Sequence, residues 1–97
     1  MTIENTMTPA ERLSRAIQFR TISTSDPAKF DPAPFIGIQQ FLAEAYPLVH
    51  SRLQSETINQ FSLLYTWQGS QPGLKPLLLT GHLDVVPVES GTESNWS

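Results

Sequence analysis

Leu77-Leu78-Leu79-Thr80-Gly81-His82-Leu83-Asp84-Val85-Val86-Pro87 decides how this chain is read, because a short apolar run delivers a histidine and a carboxylate to the point where the run ends. A run this short and apolar predicts a strand over residues 77–82 that is covered on both faces, the kind found in parallel sheets. In open sheets of that kind, sites form outside the carboxyl ends of the strands, which is where His82 and Asp84 would stand. Side chains alternate along an extended chain, so His82 and Asp84 leave on one face and Leu83 on the other. An imidazole beside a carboxylate is a pairing that metal sites use. One ring nitrogen binds the metal, and the other donates its proton to the carboxylate, which fixes the tautomer and raises ligand basicity. Gly81 permits close approach of backbone or ligand just before the histidine, and Pro87 ends any ladder-forming strand. A bare His-x-Asp is weak evidence, and a plain polar pair closing a strand end is the competing reading of the same residues.

Outward from this stretch, the chain is organised by helix and turn signals. Thr8-Pro9-Ala10-Glu11 is a helix start, with its cap, its first-turn proline and a glutamate three residues after the cap. Leu13, Ala16 and Ile17 follow at helical spacing and are expected to face a core. Residues 21–34, with Asp26-Pro27 and Asp31-Pro32, form a loop whose prolines forbid a continuous helix. Asp31 or the prolines after it open a second helix, in which Phe35, Ile38, Phe41, Leu42 and Ala45 make an apolar stripe, and Pro47 ends or restarts it. Residues 58–67 read as a β-strand, and residues 68–76, with Gly69, Pro72, Gly73 and Pro76, as a turn before the strand at 77–82. Two helices followed by two strands predict an α/β arrangement. No repeat, low-complexity tract or linker divides it.

Composition bounds the partners. At 97 residues the chain holds one small domain, and 39% hydrophobic residues permit a core. Charged residues are 15%, below the roughly 25% usual for soluble domains, as though some surface were meant for burial. A net charge of -3 argues against nucleic acid or an anionic membrane as partner, since neither attracts an acidic protein. The absence of cysteine excludes disulfides and thiolate zinc sites. No apolar stretch approaches the ~20 residues of a membrane span. Met1-Thr2-Ile3-Glu4-Asn5-Thr6-Met7 has neither a basic nor an apolar segment of the secretory kind, so a cytoplasmic location is expected if Met1 is the true start.

Other residues invite functional readings less strongly. His50 follows an apolar helix and reads as a surface or helix-end histidine. Glu44 and Glu56 lack acidic or histidine partners at a useful spacing, Trp67 and Trp96 read as strand-end or loop anchors, and Ser70, Ser90 and Ser94 lack a nucleophile-elbow glycine pattern.

Residues 77–88, with Trp96 beyond them, resemble the segment carrying the first metal ligand in the di-zinc peptidase family of carboxypeptidase G and aminoacylase, nearest its Gly-Xaa carboxypeptidase and N-acyl-amino-acid hydrolase branch. Upstream, Arg12-Leu13-Ser14-Arg15-Ala16-Ile17-Gln18-Phe19-Arg20-Thr21-Ile22-Ser23 looks like that branch's opening helix and turn. Phe41-Leu42-Ala43-Glu44-Ala45-Tyr46-Pro47-Leu48-Val49-His50 and Ser62-Leu63-Leu64-Tyr65-Thr66-Trp67 look like its next helix and first strand, so the resemblance covers residues 10–96.

It implies that residues 1–97 are the N-terminal part of a zinc-peptidase catalytic domain with a mixed, largely parallel sheet. It implies two zinc ions, with His82 holding one and Asp84 serving catalysis by orienting that ring. The substrate implied is a dipeptide-like or N-acyl amino acid with a free carboxylate, and the complete enzyme is implied to dimerise through parts further downstream. Secreted and vacuolar relatives belong to the same branch. The family's bridging aspartate, Glu-Glu pair, further acidic ligand and distant histidine match nothing here, and a catalytic zinc normally needs three protein ligands. The 97 residues alone are therefore expected to be inactive. The alternative is a complete, non-catalytic α/β module in which His82 and Asp84 merely close a strand end.

Overall fold

The computed structural model describes residues 7–96. Residues 1–6, on which most of the reading of a missing secretory segment rests, and Ser97 lie outside them.

The first helix, α1 (Pro9–Ala16), starts as its sequence demands: the Thr8 hydroxyl accepts the Glu11 N–H at 3.2 Å and donates to the Glu11 carboxylate at 3.1 Å. Its orientation departs from expectation. Leu13 is 63% exposed and Ile17 73%, so neither faces a core. The face turned toward the second helix, α2 (Ala33–Ala45), carries arginines instead, with the Arg12 guanidinium 5.2 Å from the Tyr46 ring centre and that of Arg15 5.5 Å from Phe41. Aromatic faces attract guanidinium groups and let their aliphatic stems pack, and this is the contact α1 makes with α2, while Leu13 and Ile17 meet no apolar partner that covers them among the described residues.

The Asp31 carboxylate accepts the Ala33 N–H at 3.1 Å and opens α2. One stripe of this helix makes the core: Phe35, Ile38, Phe41 and Ala45 are buried, with Leu42 partly so. Phe30, Phe35 and Phe61 form an aromatic cluster with centroids 5.2 to 5.8 Å apart. Phe19 lies so close to α2 that a Cβ on Gly37 would stand 3.0 Å from its ring. Pro47 restarts the chain as a third helix, α3 (Pro47–Arg52).

An antiparallel hairpin follows, β1 (Gln54–Ile58) with β2 (Ser62–Thr66), in the register Gln54↔Thr66 to Ile58↔Ser62. The single strand expected over residues 58–67 is thus divided by a turn. Asn59 and Gln60 adopt φ of 51° and 72°, the left-handed conformation that tight hairpin turns require. Gln39 of α2 donates to the Gln60 carbonyl at 2.9 Å and ties the turn to the core.

The α/β class holds, while the sheet is this antiparallel pair rather than a largely parallel one. Residues 77–82 are in no ladder, and Leu77, Leu78 and Leu79 are 85%, 75% and 84% exposed. An apolar run becomes a buried strand only when partner strands and covering layers meet it, and among the described residues none does. The parallel pairing that does occur is a single bridge, Ile22↔Val85. No helix among the described residues is long and apolar enough to cross a membrane.

Candidate metal-ligand site

The bridge between Ile22 and Val85 sets the site. Thr21, Ile22 and Ser23 run alongside residues 83–85: the Val85 N–H donates to the Thr21 carbonyl at 2.8 Å, and the Ser23 N–H donates to the Val85 carbonyl at 2.9 Å. The Thr21 hydroxyl, in the one buried polar residue among those described, donates to the Leu83 carbonyl at 2.6 Å. The Ser23 hydroxyl donates to the Val85 carbonyl at 3.2 Å.

This places His82 and Asp84 together, as alternation along the chain requires. His82 Nδ1 lies 2.9 Å from the Asp84 carboxylate oxygen and 2.9 Å from the Asp84 backbone carbonyl. Both neighbours are acceptors, so Nδ1 carries the proton and, in the neutral ring, Nε2 carries the lone pair. The His82 side chain is 83% exposed and that of Asp84 45%, which leaves Nε2 open to solvent. The Asp84 carboxylate, by accepting the Nδ1–H, raises the His82 pKa above the ordinary imidazole value; the backbone carbonyl and the carboxylate charge add to it. The same hydrogen bond, from His82, is the main cause that holds the Asp84 carboxyl below the usual carboxylate range.

A cavity of about 550 Å³ opens beside the pair, walled by Phe35, Leu42, Phe61 and Leu63 and reached by Tyr65, Leu83, His82 and Asp84. A larger one, about 820 Å³, lies between the 18–24 segment and the start of α2, with neither His82 nor Asp84 in its wall.

The donor chemistry suits one position of a zinc shell: a neutral imidazole whose second nitrogen is committed to a carboxylate. No group of three His, Cys, Asp or Glu side chains among the described residues is arranged to hold a metal ion.

The remaining candidates lie elsewhere. His50 bolts α3 to β2, with Nδ1 2.8 Å from the Tyr46 carbonyl and Nε2 2.7 Å from the Tyr65 hydroxyl, so both ring nitrogens are engaged. Glu44 and Glu56 are exposed, as is Trp67. The Trp96 indole donates to Thr92 at 3.4 Å. Thr21 and Ser23, which sequence reasoning places only in a turn, prove to touch the site. The sole signal for them was a pair of hydroxyl residues with the i, i+2 spacing of an extended segment.

No protein-family model matches the chain, and no solved structure matches it. Among curated proteins it is 41% identical over 92 residues to carboxypeptidase S of Saccharomyces cerevisiae, covering 89% of this chain and 16% of that protein. It is 43% identical over 89 residues to a carboxypeptidase S-like protein of Dictyostelium discoideum, covering 91% and 18%. To an N-fatty-acyl-amino acid synthase/hydrolase of Mus musculus it is 39% identical over 88 residues, covering 89% and 17%. The chain thus spans less than a fifth of the length of these relatives.

Proposed function

The chain belongs to the peptidase family of carboxypeptidase G and aminoacylase, in its carboxypeptidase S-like branch, and from that premise we propose that it supplies an amide hydrolase with a zinc-holding imidazole, His82, and the carboxylate that aligns it, Asp84. One observation carries the reading: the Nδ1–H of His82 is committed to Asp84 at 2.9 Å while Nε2 faces solvent. A ring held this way presents its lone pair in one direction and one tautomer.

Zinc bound there supplies Lewis-acid polarisation of a scissile carbonyl and a more acidic bound water. His82 does its part only when neutral. Because Asp84 raises its pKa, protons compete for Nε2 at higher pH than at a free imidazole, and metal loading falls as pH drops through that raised value. Asp84, held below the usual carboxylate range by the same hydrogen bond, is an ionised acceptor over the range in which an imidazole titrates. The other ligands, the general base and the second zinc site come from outside residues 7–96, which form part of a catalytic domain. The substrate class we propose is a dipeptide-like or N-acyl amino acid carrying a free carboxylate; one relative is named a carboxypeptidase and another an N-fatty-acyl-amino acid synthase/hydrolase. Nucleic acid and membrane are not partners in this reading, and the complete enzyme is a homodimer.

The test replaces the matching segment of Saccharomyces carboxypeptidase S with this chain and measures bound zinc and amide hydrolysis. The hybrid should be active, and His82→Ala in it should lose one zinc and several orders of magnitude of turnover. Full zinc content with near-normal turnover in the variant would reduce His82 and Asp84 to a structural pair.

A further inference from the structure

His82 and Asp84 stand on a segment without a ladder of its own, with the exposed residues 77–80 ahead of it. Nothing in residues 77–82 fixes the backbone between the histidine and the aspartate, yet the Nδ1 contact needs that backbone held. Four hydrogen bonds with residues 21–23, more than 60 positions earlier in the chain, hold it. Two are main-chain bonds of the kind any sequence makes, Val85 N–H to Thr21 and Ser23 N–H to Val85. The other two come from hydroxyl groups: Thr21 to the carbonyl of Leu83, which sits between His82 and Asp84, and Ser23 to the carbonyl of Val85, which follows them. Thr21 is 2% exposed, so its hydroxyl, which donates to the Leu83 carbonyl at 2.6 Å, has little water to turn to instead.

We propose that Thr21 and Ser23 are positioning residues for the metal ligand: their hydroxyls pin the carbonyls on either side of Asp84, so that Asp84 accepts the Nδ1–H of His82 and Nε2 remains the free nitrogen. The inference rests on the reading of His82 as a zinc ligand for its purpose, though not for its geometry. Removing the Thr21 hydroxyl leaves a carbonyl unpaired and frees the peptide between His82 and Asp84. The ring then loses its fixed acceptor and relaxes toward the tautomer mixture of a free imidazole. Thr21→Val keeps the shape and removes the hydroxyl; Thr21→Ser keeps the hydroxyl and removes a methyl.

The chain has two histidines, which supplies an internal control. His50 is held by Tyr46 and Tyr65, away from residues 21–23, so its ring signals report whether α3 and the hairpin are intact. The experiment is long-range proton–nitrogen NMR of both rings in the 97-residue chain, at a pH where both are neutral, followed by titration with Zn²⁺ alone. Wild type should show His82 as the Nδ1–H tautomer. Thr21→Val should shift it to the free-imidazole mixture and weaken Zn²⁺ binding at His82 by about 10-fold, with His50 unchanged. Ser23→Ala should do the same to a smaller extent, and Thr21→Ser should restore the wild-type pattern. If Thr21→Val disturbs His50 as well, Ser23→Ala and Thr21→Ser decide the matter. Wild-type His82 tautomer in both Thr21→Val and Ser23→Ala would overturn the proposal. The ligand reading is judged separately, by the zinc content and turnover of the carboxypeptidase S hybrid and its His82→Ala variant, and the tautomer comparison judges the Thr21–Ser23 segment whichever way that falls.

Discussion

Asp84→Asn separates the charge of the His82–Asp84 pair from its geometry. Asparagine keeps a side-chain oxygen where the carboxylate oxygen now lies 2.9 Å from Nδ1, and the backbone carbonyl of the same residue, also at 2.9 Å, is untouched. The Nδ1–H therefore retains acceptors and the tautomer survives. What is lost is the negative charge that makes the ring more basic. Changing the carboxylate behind a metal-bound histidine costs about 10- to 100-fold in affinity or activity. With one acceptor duplicated and the side chains 83% and 45% exposed, the loss belongs near the lower limit, about 10-fold in Zn²⁺ affinity at His82. In the same NMR samples, wild-type His82 should titrate above an ordinary imidazole, because the Asp84 carboxylate is the main cause of its raised pKa, and the variant should fall back toward the ordinary value.

The signs for stability oppose one another across the pH range. The raised His82 pKa stabilises the fold below the unfolded imidazole value, and that contribution disappears as pH rises through the folded one. The lowered Asp84 pKa stabilises above the unfolded carboxylate value, and that contribution disappears as pH falls through the folded one. The pair thus contributes most between the carboxylate and imidazole ranges, and little even there, because solvent screens it. Unchanged Zn²⁺ affinity and an unchanged His82 pKa in Asp84→Asn would refute the contact. Complete loss of binding, as in His82→Ala, would make Asp84 a direct ligand.

Two further outcomes follow from the packing. Phe35, 7% exposed and within 5.8 Å of two other aromatic rings, anchors the core, so Phe35→Ala should cost about 3–5 kcal/mol and abolish a cooperative thermal transition by circular dichroism; a little-changed midpoint would contradict the core assignment. The unpaired, exposed run around Leu78 is a template for strand addition, so the 97-residue chain should self-associate in sedimentation velocity and Leu78→Lys should return it toward monomer. Wild-type chain that stays monomeric at high concentration would show that the run is not sticky.

Local signals were legible from the residues themselves. The Thr8 cap with Pro9 and Glu11, the stripe of Phe35, Ile38, Phe41, Leu42 and Ala45, and the restart at Pro47 each depend on neighbours within a few helical turns, and each stands as read, with Leu42 the one stripe residue only half-buried. The His82–Asp84 contact was legible for the same reason, since alternation puts both side chains on one face. The turn at Asn59 and Gln60 was a local feature too. Neither residue is glycine, so the left-handed backbone that divides the expected strand left no strong mark in the sequence.

Tertiary structure alone decided the rest, because it depended on groups far apart in the chain. Whether α1 docks through Leu13 and Ile17 or through Arg12 and Arg15 turns on the aromatic rings that α2 and its end present. Whether residues 77–82 form a ladder turns on which strands reach them, and apolar spacing cannot supply a partner. The hydroxyls of Thr21 and Ser23 became part of the site only when the chain brought them beside residues 83–85. Spacing along the sequence determines which faces and termini side chains share; only the three-dimensional approach of remote segments determines which carbonyls, rings and strand edges are there to receive them.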